Sequence, residues 1–181
     1  VLRCSRLPEG DTARGPEMRS TGEVLRIDTT FGRAFFKAQL AAGTLLPTEG
    51  TVFLSLADSD KPAGLVVAQR LRDLKLGIAT TKGTGEYLER FGITVDQVVG
   101  KISDGHGINA VKLIESGQIV FVINTPQGRG GRTDGERIRK TANAHPVSSV
   151  TADEAALAAV GGMAEMVGAE LSVRSLQEYH A

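Results

Sequence analysis

The sequence has little of what several protein classes require. A single cysteine, Cys4, excludes an internal disulfide framework and a cysteine-rich metal site, and it suits a reducing cytoplasm. There is no tryptophan, and aromatic residues make up 4% of the chain, so platforms for stacking single-stranded nucleic acid are poorly supplied. The 21 basic and 21 acidic residues balance, whereas general polyanion binders usually carry a basic excess. We therefore expect no nucleic-acid partner, and any anion must be held by a local arrangement of residues.

Long apolar runs and metal-binding patterns are also missing. No apolar run approaches the ~20 residues that a membrane-spanning helix needs, and no signal peptide is recognisable, so we expect no membrane partner. His106, His145 and His180 have neither metal-ligand spacing nor a partner carboxylate, so no metal site is predicted. The chain begins with Val1 instead of Met, and we expect it to be a fragment of a longer protein.

What is present is one domain's length of chain with an alternating pattern of strands and helices. The 181 residues are 41% hydrophobic, which is enough for a sizeable core. The predicted strands are 51–56, 75–80, 95–101, 118–124 and 146–150, and the predicted helices are 30–42, 62–74, 86–90, 108–116, 135–145 and 152–167. Strands that alternate with helices are typical of a parallel sheet. We predict an α/β fold, a three-layer α/β/α sandwich around a five-stranded parallel sheet.

Two local details accompany this prediction. In the helix over residues 30–42, a period near 3.6 places Phe31 and Phe35 on the packed side together with the alanines at 34, 38 and 41. At the start of the last helix, Thr151 and Glu154 have the spacing of a capping box.

Polar and glycine residues follow the predicted strands where each strand ends. In open parallel sheets, ligands collect outside the carboxyl ends of the strands. The parts of a phosphate-binding site are present: two lysines, a predicted turn over residues 81–85 (TKGTG) that leads into a helix, and an amide beside a hydroxyl. The candidate site residues are Lys61, Thr81, Gly83, Thr84, Lys101, Asn124 and Thr125.

The chemistry of these residue types fits an anion. A helix N-terminus offers unpaired N–H groups and partial positive charge, and Gly83 lets the backbone approach the anion closely. Lys61 and Lys101 supply full charge, and Asn124 has the donors and acceptor to contact a ribose or a base edge. Taken singly each signal is weak, because no Walker motif is present and a lysine after a strand is usually a solvated surface residue. We expect Lys61 and Thr84 to lie at the surface rim, with no acid or base nearby that would turn binding into a reaction.

Another loop stays open to two interpretations. Residues 128–132 are rich in Gly and Arg, and Arg129 or Arg132 would clamp a phosphate if the loop folded over the site. A surface loop with no ligand explains the same composition.

Several runs together resemble one protein family. Residues 15–24 (GPEMRSTGEV) are similar to the run in carbamoyl phosphate synthetase large chains where the second ATP-grasp unit gives way to the allosteric domain. Residues 35–41 (FFKAQLA) are similar to the next recognisable stretch of that family. Asp60-Lys61, Gly83-Thr84, Lys101 and residues 123–126 (INTP) follow in the family's order.

The resemblance implies a fold, an effector and a division of the chain. The family's C-terminal domain has a methylglyoxal-synthase-like fold, and well-studied bacterial members bind uridine monophosphate as inhibitor and inosine monophosphate as activator. Carried over by motif, the nucleotide contacts are the seven candidate residues named above. Residues 1–28 would be the tail of the ATP-grasp unit with a connector, and residues 29–181 the allosteric domain.

The resemblance also implies partners and cofactors of a parent enzyme. That enzyme makes carbamoyl phosphate from glutamine, bicarbonate and ATP for pyrimidine and arginine synthesis, using Mg or Mn and K. The implied partners are the rest of the large chain and the glutaminase small chain, and a homo-oligomer stays open. This chain has no ATP-binding or carbamate-handling motif, so we expect it to have no catalytic residue and no cofactor of its own.

Departures from the pattern and two rival functions remain. Residues 149–151 (SVT) stand where enteric members have the Tyr-Asp-Thr run linked to ornithine, so ornithine control is not expected. A methylglyoxal-synthase-like lyase would need a carboxylate base. Asp58 matches one acidic position of that site, but Ala57 replaces its histidine, and residues 105–108 (GHGI) replace the Gly-Asp-Gln-Gln run. A ligand-free oligomerisation module that uses the Ala-rich last helix is the third hypothesis.

Overall fold

Residues 24–102, 107–125 and 134–180 are described by a computed structural model of the chain. They contain a five-stranded sheet in which every neighbouring pair of strands is parallel, in the order β3-β2-β1-β4-β5. The strands are β1 (Thr51–Ser55), β2 (Gly77–Thr81), β3 (Gln97–Val99), β4 (Ile119–Asn124) and β5 (Ser148–Val150). The helices are α1 (Phe31–Ala41), α2 (Lys61–Asp73), α3 (Lys82–Arg90), α4 (Ala110–Glu115), α5 (Asp134–Ala144), α6 (Asp153–Met166) and α7 (Leu176–His180). The predicted α/β fold with a five-stranded parallel sheet is confirmed.

Both faces of the sheet are covered because the central strands are apolar on both sides. Side chains alternate along a strand, so Val52 and Leu54 point to one face of β1 and Phe53 to the other. The first face packs on residues of α2, α3 and α6, and the second on residues of α4 and α5. Fully buried strands of this kind form the middle layer of a three-layer sandwich. The middle strand, β1, lies between β2 and β4, so the segment that follows β1 lies at the centre of the carboxyl end of the sheet.

Helix α1 lies outside the sandwich and packs on α6 through glycines. A Cβ built on Gly32 would lie 3.1 Å from the carbonyl oxygen of Gly161 and against the carboxylate of Glu165. A Cβ built on Gly162 would lie 3.1 Å from the carbonyl oxygen of Gly32. The prediction that Phe31 is on the packed side was wrong: it is 73% exposed, because the close approach at Gly32 turns that edge of α1 towards α6.

The segment before α1 is fastened to the helix and to the end of the described chain. The carboxylate of Asp28 pairs with Lys37 Nζ at 2.6 Å, and its side chain is 3% exposed. The bond from Lys37 and two bonds from Thr29 lower the pKa of Asp28 to about 2 against a partial opposing effect of desolvation. Farther along, the Tyr179 hydroxyl donates to the carbonyl oxygen of Ile27 at 2.9 Å. The two ends of the described chain therefore meet beside α1.

Three local predictions were wrong at the edges of elements. Residues 82–85 of the predicted turn are the first part of α3, which begins directly after β2. A Cβ on Gly85 would lie 2.7 Å from Thr80 Oγ1, so this glycine serves close packing of the helix on the sheet. β3 has 3 residues, fewer than predicted, and α6 follows Ala152 with no side-chain cap, so the capping box at Thr151 does not form. The short 3-10 helix over Asp58–Asp60 and α7 were not predicted.

None of the helices in residues 24–102, 107–125 and 134–180 combines the length and the apolar composition needed to cross a bilayer.

Candidate functional site

A cavity of about 780 Å³ lies at the carboxyl ends of the strands. The segments that follow β1, β2, β3 and β4 line it, together with the first turns of α5. The seven residues that the sequence singled out all lie on its wall: Lys61, Thr81, Gly83, Thr84, Lys101, Asn124 and Thr125. The structure thus brings the whole predicted set to one place, as expected of parallel strands whose carboxyl ends share an edge.

The N-terminus of α3 opens into this cavity. Thr81 precedes the helix in an extended conformation, and its side chain makes no capping bond to the first turn. The N–H groups of that turn therefore keep their capacity to bind an anion, strengthened by the helix dipole. A Cβ built on Gly83 would lie 3.9 Å from Lys61 Nζ, so the lysine stands over the same turn. Helix N–H groups and an ammonium group point to one anion position.

Lys61 is held in place by two neighbours. Its Nζ pairs with the Asp58 carboxylate at 2.6 Å, and the ammonium lies 5.7 Å from the centre of the Tyr87 ring. Asp58 is 84% exposed, so water screens this pair and it contributes little to stability. The pair aims the lysine without burying an ion pair. A ligand phosphate would compete with Asp58 for the ammonium group.

Two threonines clamp the segment after β1 from opposite sides. Thr84 Oγ1 accepts a hydrogen bond from the Leu56 N–H at 3.1 Å, and Thr125 Oγ1 accepts one from the Ala57 N–H at 2.8 Å. Both threonines are buried, with exposed fractions of 1% and 4%. The expectation that Thr84 lies at a surface rim was wrong, because its hydroxyl satisfies a buried backbone N–H of the neighbouring strand. Each hydroxyl keeps its own hydrogen for donation.

Arg139 is a residue of this cavity that the sequence interpretation missed. It lies in α5, is 4% exposed, and its Nη1 donates to Asn124 Oδ1 at 2.6 Å. A Cβ on Gly135 would lie 3.1 Å from both of these atoms, so the glycine leaves room for the pair. The helical period was the available signal, since Arg139 shares the buried face of α5 with Ile138 and Ala142.

The charges on the wall are mixed, with cations in the majority. The wall carries four cationic side chains, Lys61, Lys82, Lys101 and Arg139, and two carboxylates, Asp58 and Asp134. Carboxylates are therefore present at the cavity, and the prediction that no acid or base there turns binding into a reaction stays a prediction. Both carboxylates are engaged in the structure, Asp58 with Lys61 and Asp134 with the Ile102 N–H at 3.0 Å.

Some candidates fall outside the described residues. Arg129 and Arg132 lie there, as do His106 and Cys4, so the predicted alternatives for that loop stay as they were. Across the ranges that the structure describes, no group of three or more His, Cys, Asp or Glu side chains is placed to hold a metal ion.

Comparison with known proteins agrees with the fold. A sequence model of the MGS-like (methylglyoxal-synthase-like) domain family matches residues 64–151, a range that includes β2 to β5 and most of α2. Residues 64–151 thus form a domain of this class. It is 44% identical over 182 residues to the carbamoyl phosphate synthase large chain of Rubrobacter xylanophilus, covering 100% of this chain and 17% of that protein. The large chain of Methanosarcina barkeri strain Fusaro is 42% identical over 181 residues, with coverage of 99% and 17%.

The similarity extends beyond the family match to the whole chain. Another Methanosarcina barkeri large chain is 41% identical over 181 residues, which are 99% of this chain and 45% of that protein. The chain thus corresponds to the MGS-like portion of carbamoyl phosphate synthase large chains. It spans about a sixth of the length of most of these relatives.

Proposed function

We propose that the chain is a regulatory module of a carbamoyl phosphate synthase large chain, and that its cavity binds a nucleoside monophosphate of the uridine or inosine type. The observation that carries this proposal is the convergence of the α3 N-terminus, Lys61 and Lys101 on one cavity. A volume of about 780 Å³ lies within the ~300–1,000 Å³ range of small-molecule sites. The 41–44% identity to large chains supports the parent protein.

The phosphate is best accommodated between α3 and Lys61. The first-turn N–H groups of α3 and the Lys61 ammonium would each donate to phosphate oxygens, and the Thr81 hydroxyl lies beside them. Each charge-assisted hydrogen bond contributes about 1.5–3 kcal/mol net, so three or four of them, less the cost of association, support roughly micromolar affinity. The cationic majority on the wall adds long-range attraction that salt would weaken.

The nucleoside would then extend over the rest of the cavity wall. Lys101 follows the edge strand β3, and Asn124 ends β4 on the other side of β1. Asn124 is two strands from β2, about 10 Å, so its short side chain does not reach a phosphate bound at α3, whereas Lys101 is one strand away and long enough to reach it. Asn124 is therefore placed to contact the ribose or the base, and Lys101 supplies a second positive charge near the phosphate.

Titration calorimetry on the 181-residue chain tests the proposal. Uridine and inosine monophosphates should bind with micromolar affinity, while uridine and inosine, which lack the phosphate, should bind at least tenfold more weakly. Inorganic phosphate serves as the probe for the anion position alone. Absence of heat with both monophosphates over a range of temperatures would contradict the binding function and favour the ligand-free oligomerisation module.

A matched pair of lysine variants tests the anion position. Lys61→Gln should weaken monophosphate binding about tenfold or more, because it removes a charged donor. Lys75→Gln changes an exposed lysine that precedes β2, at the opposite end of the sheet, and should leave the affinity unchanged. Equal affinities in the two variants would show that the phosphate does not bind at Lys61.

In this proposal the chemistry belongs to the rest of the parent enzyme. ATP, Mg or Mn, and K would act in the ATP-grasp units, and the glutaminase small chain would supply ammonia. The module would communicate with those parts through the large chain to which it is joined, and a homo-oligomer remains a further candidate partner. We place this assembly in the cytoplasm because it would serve pyrimidine and arginine synthesis.

A lyase remains the second candidate because two carboxylates line the cavity. Asp58 would be the base for a methylglyoxal-synthase-like elimination, with Lys61 beside the substrate phosphate. Its 84% exposed side chain argues against that role, since a catalytic carboxylate is usually desolvated to raise its basicity. Turnover of dihydroxyacetone phosphate that Asp58→Asn abolishes would establish the lyase.

A further inference from the structure

Asn124 and Arg139 form a buried pair in which the guanidinium group fixes the orientation of the Asn124 amide. Arg139 can only donate hydrogen bonds, so the atom 2.6 Å from its Nη1 must be the amide oxygen of Asn124. Asn124 is 2% exposed and Arg139 is 4% exposed, so water does not compete for this bond. The amide of Asn124 is therefore held with its oxygen towards α5, and its NH2 group is the end that remains for a ligand.

The fold around the pair leaves little freedom for the amide to turn over. Gly135 lies against it, since a Cβ there would be 3.1 Å from Asn124 Oδ1 and 3.6 Å from Nδ2. Asn124 is the last residue of β4, and the next residue is fixed by a bond from the Thr125 N–H to the Ser55 carbonyl oxygen at 3.0 Å. The backbone on one side and the guanidinium on the other thus define where the NH2 group can point.

The position of Asn124 suits the far end of a nucleotide. β4 is separated from β2 by β1, which places Asn124 about 10 Å from the N-terminus of α3. A phosphate bound at α3 is too far away to meet this amide. The donor at Asn124 therefore faces the nucleoside part of a ligand.

We infer that Arg139 is a specificity-determining residue that acts by fixing the Asn124 amide as a donor, so that the cavity prefers bases with a keto oxygen over bases with an amino group. The inference rests on the proposed nucleotide-binding function. Uracil and hypoxanthine present a carbonyl oxygen where cytosine and adenine present an amino group. A donor held against an amino group leaves both groups unpaired, which is why fixed polar sites discriminate strongly.

The test compares affinities for matched nucleotides. In the unmodified chain, uridine monophosphate should bind about tenfold or more tightly than cytidine monophosphate, and inosine monophosphate than adenosine monophosphate. Arg139→Met should bring both ratios close to one, because the freed amide can present either end. Arg139→Lys keeps a cationic donor and should retain part of the preference. Arg137→Met changes an exposed arginine of the same helix and should leave both ratios unchanged.

Asn124→Asp keeps the inference testable if Arg139→Met does not fold. A carboxylate would still pair with Arg139 but would offer only acceptors, so the preference should reverse towards cytidine and adenosine monophosphates. Equal affinities for keto and amino nucleotides in the unmodified chain, or ratios that the Arg139 and Asn124 variants leave unchanged, would overturn the inference while nucleotide binding itself stands. No binding of any of the four nucleotides would remove the proposed function and this inference with it.

Discussion

Thr84→Val should destabilise the domain because it removes a buried acceptor from the wall of the cavity. Thr84 Oγ1 accepts from the Leu56 N–H at 3.1 Å and from the Thr81 hydroxyl at 3.2 Å. Valine has nearly the same shape, so packing is preserved while the Leu56 N–H loses its partner in a site that is 1% exposed. An unsatisfied buried donor costs about 1–3 kcal/mol in the free energy of unfolding. For a domain of this size the melting temperature should fall by roughly 2–12 °C.

Urea unfolding followed by circular dichroism measures this effect. The midpoint should fall while the slope with denaturant stays the same, since the folded and unfolded surfaces do not change. Thr84→Ser keeps the hydroxyl and should recover most of the loss. Thr94→Val alters an exposed threonine and should change the free energy of unfolding by less than about 0.5 kcal/mol. If Thr84→Val matches the Thr94 control, the hydroxyl does not support the segment after β1.

Thr125→Val extends the same reasoning to the other side of that segment. Its hydroxyl bonds the Ala57 N–H, next to the N–H that Thr84 bonds. Because neighbouring backbone groups move together, the double variant should differ from the sum of the single variants by about 0.5 kcal/mol or more. Strict additivity would mean that the two threonines act independently.

The remaining predictions concern the region around α1. Gly162→Ala should lower the free energy of unfolding by about 1–3 kcal/mol, because the new Cβ would lie 3.1 Å from the Gly32 carbonyl oxygen. Gly161→Ala places its Cβ no closer than 3.8 Å to a neighbour and should be neutral or stabilising by up to about 1 kcal/mol. Urea unfolding that ranks the two variants in the opposite order would contradict the α1–α6 contact. Asp28→Asn should lower stability near neutral pH, since the folded-state pKa of Asp28 is depressed to about 2 by Lys37. The stability that this shift supplies is present above the unfolded pKa near 4 and is lost as the pH falls towards 2, so unfolding measured from pH 7 to 2 should show the two proteins converging; a constant difference across that range would refute the ion pair.

The sheet was predictable because its signal is simple. Apolar runs such as residues 119–123 in β4 need only burial on both faces, and their alternation with helices fixes a parallel arrangement. The convergence of the strand-end residues followed from the same topology. Placing Lys61, Lys101 and Asn124 at the same end of the sheet required no knowledge of side-chain packing.

The errors arose where tertiary contacts outweigh local preference. The sequence around Gly83 and Gly85 predicted a turn because glycine is a poor helix former. In the structure Gly85 lies in α3, and the absence of a side chain there lets the helix pack closely on Thr80 of β2. Phe31 was assigned to the core by period alone, although the glycine contact with α6 decides which edge of α1 faces inward. Arg139 was missing from the predicted site because the role of a buried arginine depends on the residue that it bonds. That residue, Asn124, is 15 positions away in another element.

The bond between Tyr179 and Ile27 has a practical consequence for building new proteins from this domain. Residues 152 positions apart in the chain are held at hydrogen-bonding distance, so the described part of the molecule enters and leaves at one spot on its surface. Adjacent termini are the geometry that tolerates circular permutation and insertion into a host loop. A short linker from residue 180 to residue 24, with new ends opened in the exposed turn at Gly117, should yield a rearranged chain that still folds.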